Sequence, residues 1–435
     1  MRKVLRQVCA LNRHHLYQSA PIWVLVGSLG VAFITVVGFR WISLVAGPAE
    51  FGKASLLYGG MLLASACSAG VGGQGIMRLT LDAVTPQDRA DVWFSTVSLV
   101  LAAALVVWLV LIMASHWPER AWRLQQPVAL ALGLAFVAEG LKSVGAGQLT
   151  GLSLFRDTAL AQLIDAAGRP LAVLGLRLLG WSPLASVLGG YALGASLAAF
   201  AFVLLVHRHL GLGRVRRRWL AAQASYGWPL VGNGVFGWLA NTGDRYVVAA
   251  ALGLPAAGIY VAAVNLGARP ALMLGGMLET YLRPRLYRAV VASDPDALAR
   301  VRRRWLRDAI AVLAISFVLL WMAEPWLLRL LLAPAFRDGA RILVLVGFVA
   351  YAVLAIGYLP QRINYALGRT FQVALVEIVG TLAMLAGVFL GGRMAGLTGV
   401  AIGLLLACGV RAGLAALFAQ RGLRAWMWAT TESAA

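Results

Sequence analysis

Apolar residues run along the chain in blocks of about 20, the length a helix needs to cross a hydrocarbon core. Short polar stretches rich in Arg, Gly and Pro separate them. Twelve blocks can be placed, near 22–46, 55–77, 92–115, 127–149, 158–179, 184–206, 228–251, 257–281, 309–331, 342–361, 371–391 and 397–419. Each reads as a membrane-spanning helix, because a helix satisfies its own backbone hydrogen bonds where lipid offers no partner. Ahead of the first block, residues 1–19 are basic and carry Val4, Leu5, Val8 and Leu11 on one helical stripe, which predicts an interfacial helix. The first block is too long for a signal-peptide core and no small-residue cleavage pattern follows it, so it is expected to stay in the mature protein.

Composition agrees with this reading. The 435 residues are 61% hydrophobic and 13% charged, where soluble domains usually carry about a quarter charged residues. The 38 Lys and Arg against 17 Asp and Glu could indicate nucleic acid, so the position of the bases decides. With twelve spans, 24 bases fall in the tails and loops of one side, 8 on the other, and six within spans. Short-loop Lys and Arg set orientation, so both termini are expected in the cytoplasm and the charge is mostly topological. The clusters around Arg216–Arg218 and Arg302–Arg304 suit anionic lipid rather than nucleic acid. The expected organisation is an interfacial segment over 1–20, an N-terminal lobe over 21–207, a basic linker over 208–225, a C-terminal lobe over 226–420 and a cytoplasmic tail over 421–435.

The chain also contains its own copy. Arg40 and Arg245 lie 205 residues apart, and the same offset relates Trp23 to Trp228, Leu25-Val26-Gly27 to Leu230-Val231-Gly232, Trp41 to Tyr246 and Arg78 to Arg283. Gly52 aligns with Gly258 after a one-residue adjustment. At offset 212, Leu163-Ile164-Asp165-Ala166-Ala167-Gly168 matches Leu375-Val376-Glu377-Ile378-Val379-Gly380. Copies six spans apart enter the membrane in the same direction, so this is a parallel repeat, and a site is expected between two six-helix lobes.

Charges inside spans need a reason, since each costs about 2.5–3.5 kcal/mol near a bilayer centre on insertion scales. The bases there are Arg40, Lys142, Arg169, Arg245, Arg269 and Arg411, and the acids Glu139, Asp165, Asp244, Glu279 and Glu377. Glu139 with Lys142 and Asp165 with Arg169 are spaced i,i+3 and i,i+4, which puts opposite charges on one helix face. These pairs either brace helices or line a water-filled passage. Asp244 and Arg245 are adjacent and point in different directions. Arg40 and Arg245 hold matched places in the two copies, and a guanidinium fork suits phosphate or carboxylate, so with Arg269, Arg411 and Lys142 they form the candidate substrate-binding set. Snorkelling to headgroups or pairing with a carboxylate on another helix is the alternative for them. Glu139, Asp165 and Glu377 are candidates for ion coupling.

Other patterns carry less. Gly70, Gly72 and Gly75 match a nucleotide-loop spacing but end an apolar span, where small residues serve helix packing. The five histidines fall in tails or loops and the three cysteines form no metal or disulfide spacing, so no catalytic set, metal or cofactor is expected. Tryptophans 93, 117, 122, 181, 219, 426 and 428 lie near span ends and read as an aromatic belt.

Phe39-Arg40-Trp41 through Gly47-Pro48-Ala49-Glu50-Phe51-Gly52 to Gly75-Ile76-Met77-Arg78 resembles the opening of bacterial polysaccharide-biosynthesis flippases. These are the Wzx-like branch of the multidrug/oligosaccharidyl-lipid/polysaccharide (MOP) exporter superfamily. Pro229, Asp244-Arg245-Tyr246 and Gly258-Ile259-Tyr260 resemble the start of that family's second lobe, and Ala366-Leu367-Gly368-Arg369 resembles its connection between the tenth and eleventh helices. The resemblance implies an all-α polytopic membrane protein of about twelve helices in a MATE-like V of two lobes. It implies a flippase, not an enzyme, that moves a polyprenyl-pyrophosphate-linked oligosaccharide of O-antigen, capsule or exopolysaccharide across the inner membrane by alternating access. Partners would be that substrate, membrane lipids and other polysaccharide-assembly proteins, with no nucleic acid. Arginines serve pyrophosphate or acidic sugars in that family, which suits Arg40 and Arg245. An ion-coupled multidrug or metabolite exporter of the same superfamily stays open. A polysaccharide polymerase or ligase fits the short outer loops less well.

Overall fold

A computed structural model describes residues 13–69, 75–115 and 126–432. Among the described residues there are no strands and twelve long helices. In chain order these are α1 (Arg13–Val45), α2 (Pro48–Ala69), the short α3 (Gly75–Asp82), α4 (Pro86–Ser115), α5 (Gln126–Gly151), α6 (Phe155–Leu178) and α7 (Pro183–Leu210). They continue with α8 (Arg217–Leu252), α9 (Leu254–Val291), α10 (Pro295–Leu331) and α11 (Ala340–Ala366). The last helical stretch, Thr370–Glu432, is broken by non-helical Ala395 and Gly396, with Gly396 at φ 59°, into α12 over 370–394 and α13 over 397–432. Nine helical stretches of the described chain are long and apolar enough to cross a membrane.

The expected spans fall on these helices; the starts expected at 127, 184, 371 and 397 agree within a residue, and several others are displaced. The second helix begins at Pro48, and a proline in the first turn is pre-set for helix. The helix α8 starts at Arg217 and α10 at Pro295, so the Arg-containing segments 217–219 and 295–308 extend the helices beyond their apolar parts. Asp294 caps α10 by accepting from Ala297 N at 2.8 Å, which fixes that early start. The interfacial helix expected over 1–19 lies mostly outside the described residues, and from Arg13 the chain is already in α1. Gly70 and Gly72 also lie outside the described residues, as do Trp117 and Trp122.

The chain divides into two compact units, one within 1–46 and 56–238 and the other within 47–55 and 239–435. In the first, α6 packs on α1 and α7, and α5 packs on α4 and α7. Its core gathers Ile76, Val92, Trp93, Val100, Val144, Leu149 and Phe202. Trp93 is 3% exposed, so it is a core residue and the belt reading is wrong for it. Trp181 and Trp428 are exposed.

The connection after α7 is pinned to α4. Asp91 Oδ1 accepts from Arg214 N at 2.7 Å, Asp91 Oδ2 from Arg216 Nε at 3.0 Å, and Ser95 Oγ from Arg216 N at 2.9 Å. Gly213 lies so close that a Cβ there would be 2.4 Å from the Ala90 carbonyl.

In the second unit α9 packs on α11, and α11 on the α12–α13 pair. There α12 and α13 meet backbone to backbone: a Cβ on Gly399 would stand 1.9 Å from the Gly391 carbonyl oxygen, and one on Gly403 2.1 Å from that of Gly387. Small residues allow this approach in a bilayer, where apolar side chains gain nothing by leaving lipid for each other. Residues 47–55 join this unit, with Gly52 against Leu254 and Gly258 against Pro48.

Candidate functional site

The charges of the first unit converge. Helix periodicity places Glu139 and Lys142 on one face of α5, and Asp165 and Arg169 on one face of α6. The two pairs then bond to each other. Lys142 Nζ is 3.0 Å from Glu139 Oε2 and donates to Asp165 Oδ2 at 2.7 Å. Arg169 Nε donates to Asp165 Oδ1 at 2.9 Å, and Arg169 Nη2 to Glu139 Oε1 at 2.6 Å. Tyr58 of α2 donates its hydroxyl to Glu139 Oε1 at 2.5 Å. The Arg169 guanidinium lies 5.8 Å from the Tyr58 ring centre and 5.4 Å from that of Tyr191 on α7. The four charged side chains are 13–20% exposed. Two acids and two bases cancel, so the cluster ties four helices together without presenting net charge.

The second unit solves the same problem with different residues. Glu377 on α12, the repeat counterpart of Asp165, accepts from Arg411 of α13 through both carboxylate oxygens and from Gln361 Nε2 of α11 at 2.6 Å. Glu279 on α9 is 2.8 Å from Arg362 Nε and 3.2 Å from Arg283 Nη1. Asp244 on α8 is only 4% exposed. Its Oδ2 accepts from the Tyr260 hydroxyl at 2.5 Å, and its Oδ1 from the backbone N–H of Arg245 at 2.9 Å. No ion pair within 4 Å joins Asp244 to a base among the described residues.

The five candidate bases therefore separate. Lys142 lies between two carboxylates and Arg411 on one, so each has its charge answered within its own unit. Arg40 is half-buried on α1, and Arg269 is exposed on α9 before Pro270. Arg245 is half-buried on α8 about two turns before its end, and no carboxylate stands within ion-pair distance of it among the described residues. The candidate coupling acids Glu139, Asp165 and Glu377 are all ion-paired.

Sequence reasoning missed Tyr58, Tyr191, Tyr260 and Gln361. A tyrosine within an apolar run carries no spacing signal, and each of these partners comes from another helix. Among the described residues no group of three or more His, Cys, Asp or Glu is placed to hold a metal ion.

This architecture is similar to that of solved transporters. An inward-facing multidrug resistance MATE family transporter of the MOP superfamily matches with a TM-score of 0.73 at 15% identity, covering 96% of this chain and 100% of that one. The lipid II flippase MurJ in an inward closed conformation matches with a TM-score of 0.71 at 12% identity, covering 94% of this chain and 91% of that one. At these identities the likeness is one of fold. No match was found among curated protein sequences. The family model described as polysaccharide biosynthesis protein matches residues 46–341. The chain, a multi-pass helical membrane protein with the fold of the MOP-superfamily transporters, therefore belongs to the polysaccharide biosynthesis protein family.

Proposed function

We propose that this protein is a flippase for a polyprenyl-pyrophosphate-linked oligosaccharide, such as an O-antigen, capsule or exopolysaccharide unit. It works by alternating access in the bacterial inner membrane with both termini in the cytoplasm. The family match over 46–341 supports the glycan substrate, and the fold shared with a lipid flippase and an exporter supports translocation. The 24 to 8 distribution of bases supports the orientation. One observation carries the site: Arg245 is a half-buried guanidinium within a span, no carboxylate lies within ion-pair distance of it among the described residues, and its neighbour Asp244 is taken by Tyr260. Such a fork is suited to a substrate phosphate. Arg269 of the same unit is a further phosphate ligand, and Arg40, the repeat counterpart of Arg245, has that role in the other unit. Lys142 and Arg411 act there as braces rather than ligands. Coupling through Glu139, Asp165 or Glu377 requires the incoming ion to displace Lys142, Arg169 or Arg411.

An exporter of cationic drugs is the second reading, favoured by the MATE-like fold. A cation at Arg245 repels such cargo. Proteoliposomes loaded with a fluorescent polyprenyl-diphosphate oligosaccharide and, separately, with a cationic dye distinguish the two. The flippase reading expects accelerated leaflet exchange of the lipid and no dye transport; dye transport without lipid exchange would establish the exporter.

A further inference from the structure

The end of α9 and the start of α10 bring two guanidiniums to one aromatic ring. Arg285 lies 4.5 Å, and Arg304 5.7 Å, from the centre of the Tyr281 ring, which is 52% exposed. Topological charge requires no fixed geometry, so this convergence calls for a reason beyond orientation. The nearby carboxylates do not supply it. Arg285 is half-buried and has no carboxylate within ion-pair distance among the described residues. Arg304 reaches Asp308 only at 3.5 Å, and Asp308 is shared with Arg307 at 2.9 Å. Glu279 is divided between Arg283 and Arg362, and Asp294 is used as the cap of α10.

The cluster stands at the boundary between the basic and the apolar part of α10. The same helix α10 buries Trp305 to 1% and exposes the apolar Leu306 and Ile310 beside Arg304, so the arginines stand where α10 passes from basic surface to apolar span. We infer that Arg285 and Arg304, positioned by Tyr281, bind the diphosphate of a polyprenyl-diphosphate lipid at the membrane surface, as a loading station ahead of translocation. Two forks held on one ring suit a group of two phosphoryl units, whereas a single phosphodiester occupies one fork. The assignment rests on the flippase reading for the identity of the lipid and on the geometry for its diphosphate.

The test uses the full chain in phosphatidylcholine nanodiscs with polyprenyl diphosphate as the probe. Arg285→Gln and Arg304→Gln are expected to weaken binding by about 10- to 100-fold, the range for loss of a charge-assisted contact. Tyr281→Ala should weaken it less. Arg303→Gln, which removes the same charge from an exposed position off the ring, should change it by no more than about twofold, and thermal unfolding of each variant controls for folding. An equal loss in Arg303→Gln, or equal competition by phosphatidylglycerol, would overturn the site in favour of a diffuse anionic-lipid surface. Equal competition by inorganic pyrophosphate would overturn its assignment to a lipid. Because binding is read without transport, intact binding with no leaflet exchange counts against the flippase reading alone. Normal exchange with undiminished binding in Arg285→Gln removes the station alone.

Discussion

The acids at equivalent places in the two repeats are neutralised by bases at different places. In the first unit Asp165 is held by Arg169 from its own helix and Lys142 from α5, and Gly168 of α6 faces Gly194 of α7. In the second, Thr381 stands at the place of Arg169, and Gly380 of α12 faces Arg411 of α13, the base that holds Glu377. The repeat keeps the acid and its neutralisation but moves the base to the neighbouring helix. A charge in a span must be answered, and several geometries answer it, so these pairs are explained by the membrane rather than by the substrate. Arg245, which has no such partner among the described residues, is left as the residue that points to a ligand.

Removing one member of the denser network should show the difference most clearly. Arg169→Ala leaves Lys142 as the one base shown on both Glu139 and Asp165, with Tyr58 still on Glu139, and breaking a buried ion pair costs about 3–5 kcal/mol. A large drop in thermal stability in detergent is expected; an unchanged transition would mean that the cluster does not brace the first unit. In the second unit Arg411→Ala should cost less, about 1.5–3 kcal/mol, because it deprives one carboxylate of its base rather than two, and Gln361 remains on Glu377. Equal losses in the two variants would erase the distinction drawn between the units. Tyr260→Phe removes the hydroxyl from a buried carboxylate and should cost about 1–3 kcal/mol. Rescue by Asp244→Asn in the double variant would show that the penalty belongs to Asp244. At the small end, Arg245→Ala should leave the thermal transition and the membrane abundance unchanged, since no ion pair among the described residues depends on it.

Much of this was legible in the sequence. Twelve apolar blocks became twelve long helices, and the i,i+3 and i,i+4 spacings gave both pairs of the first cluster. The starts of α8 and α10 were not legible, because hydropathy marks where a helix meets apolar surroundings, whereas these two begin in basic segments. Neither was the bonding of one pair to the other, nor Arg411 with Glu377 across 34 residues, since each depends on how separate helices pack. Adjacency sets Asp244 and Arg245 in different directions, but it does not tell what Asp244 bonds to. Its side-chain partner is Tyr260, one helix on.

Arg245 is proposed to meet the substrate's phosphate, whereas Glu377 with Arg411, Glu279 with Arg362 and Asp244 with Tyr260 hold helices of the second unit together. Leaflet exchange of a polyprenyl-diphosphate oligosaccharide in proteoliposomes, compared between wild type and Arg245→Ala at equal protein, tests it directly. A loss on the order of 10- to 100-fold with stability unchanged is expected, with partial recovery in Arg245→Lys, which keeps the charge but not the fork. Wild-type exchange by Arg245→Ala would contradict it.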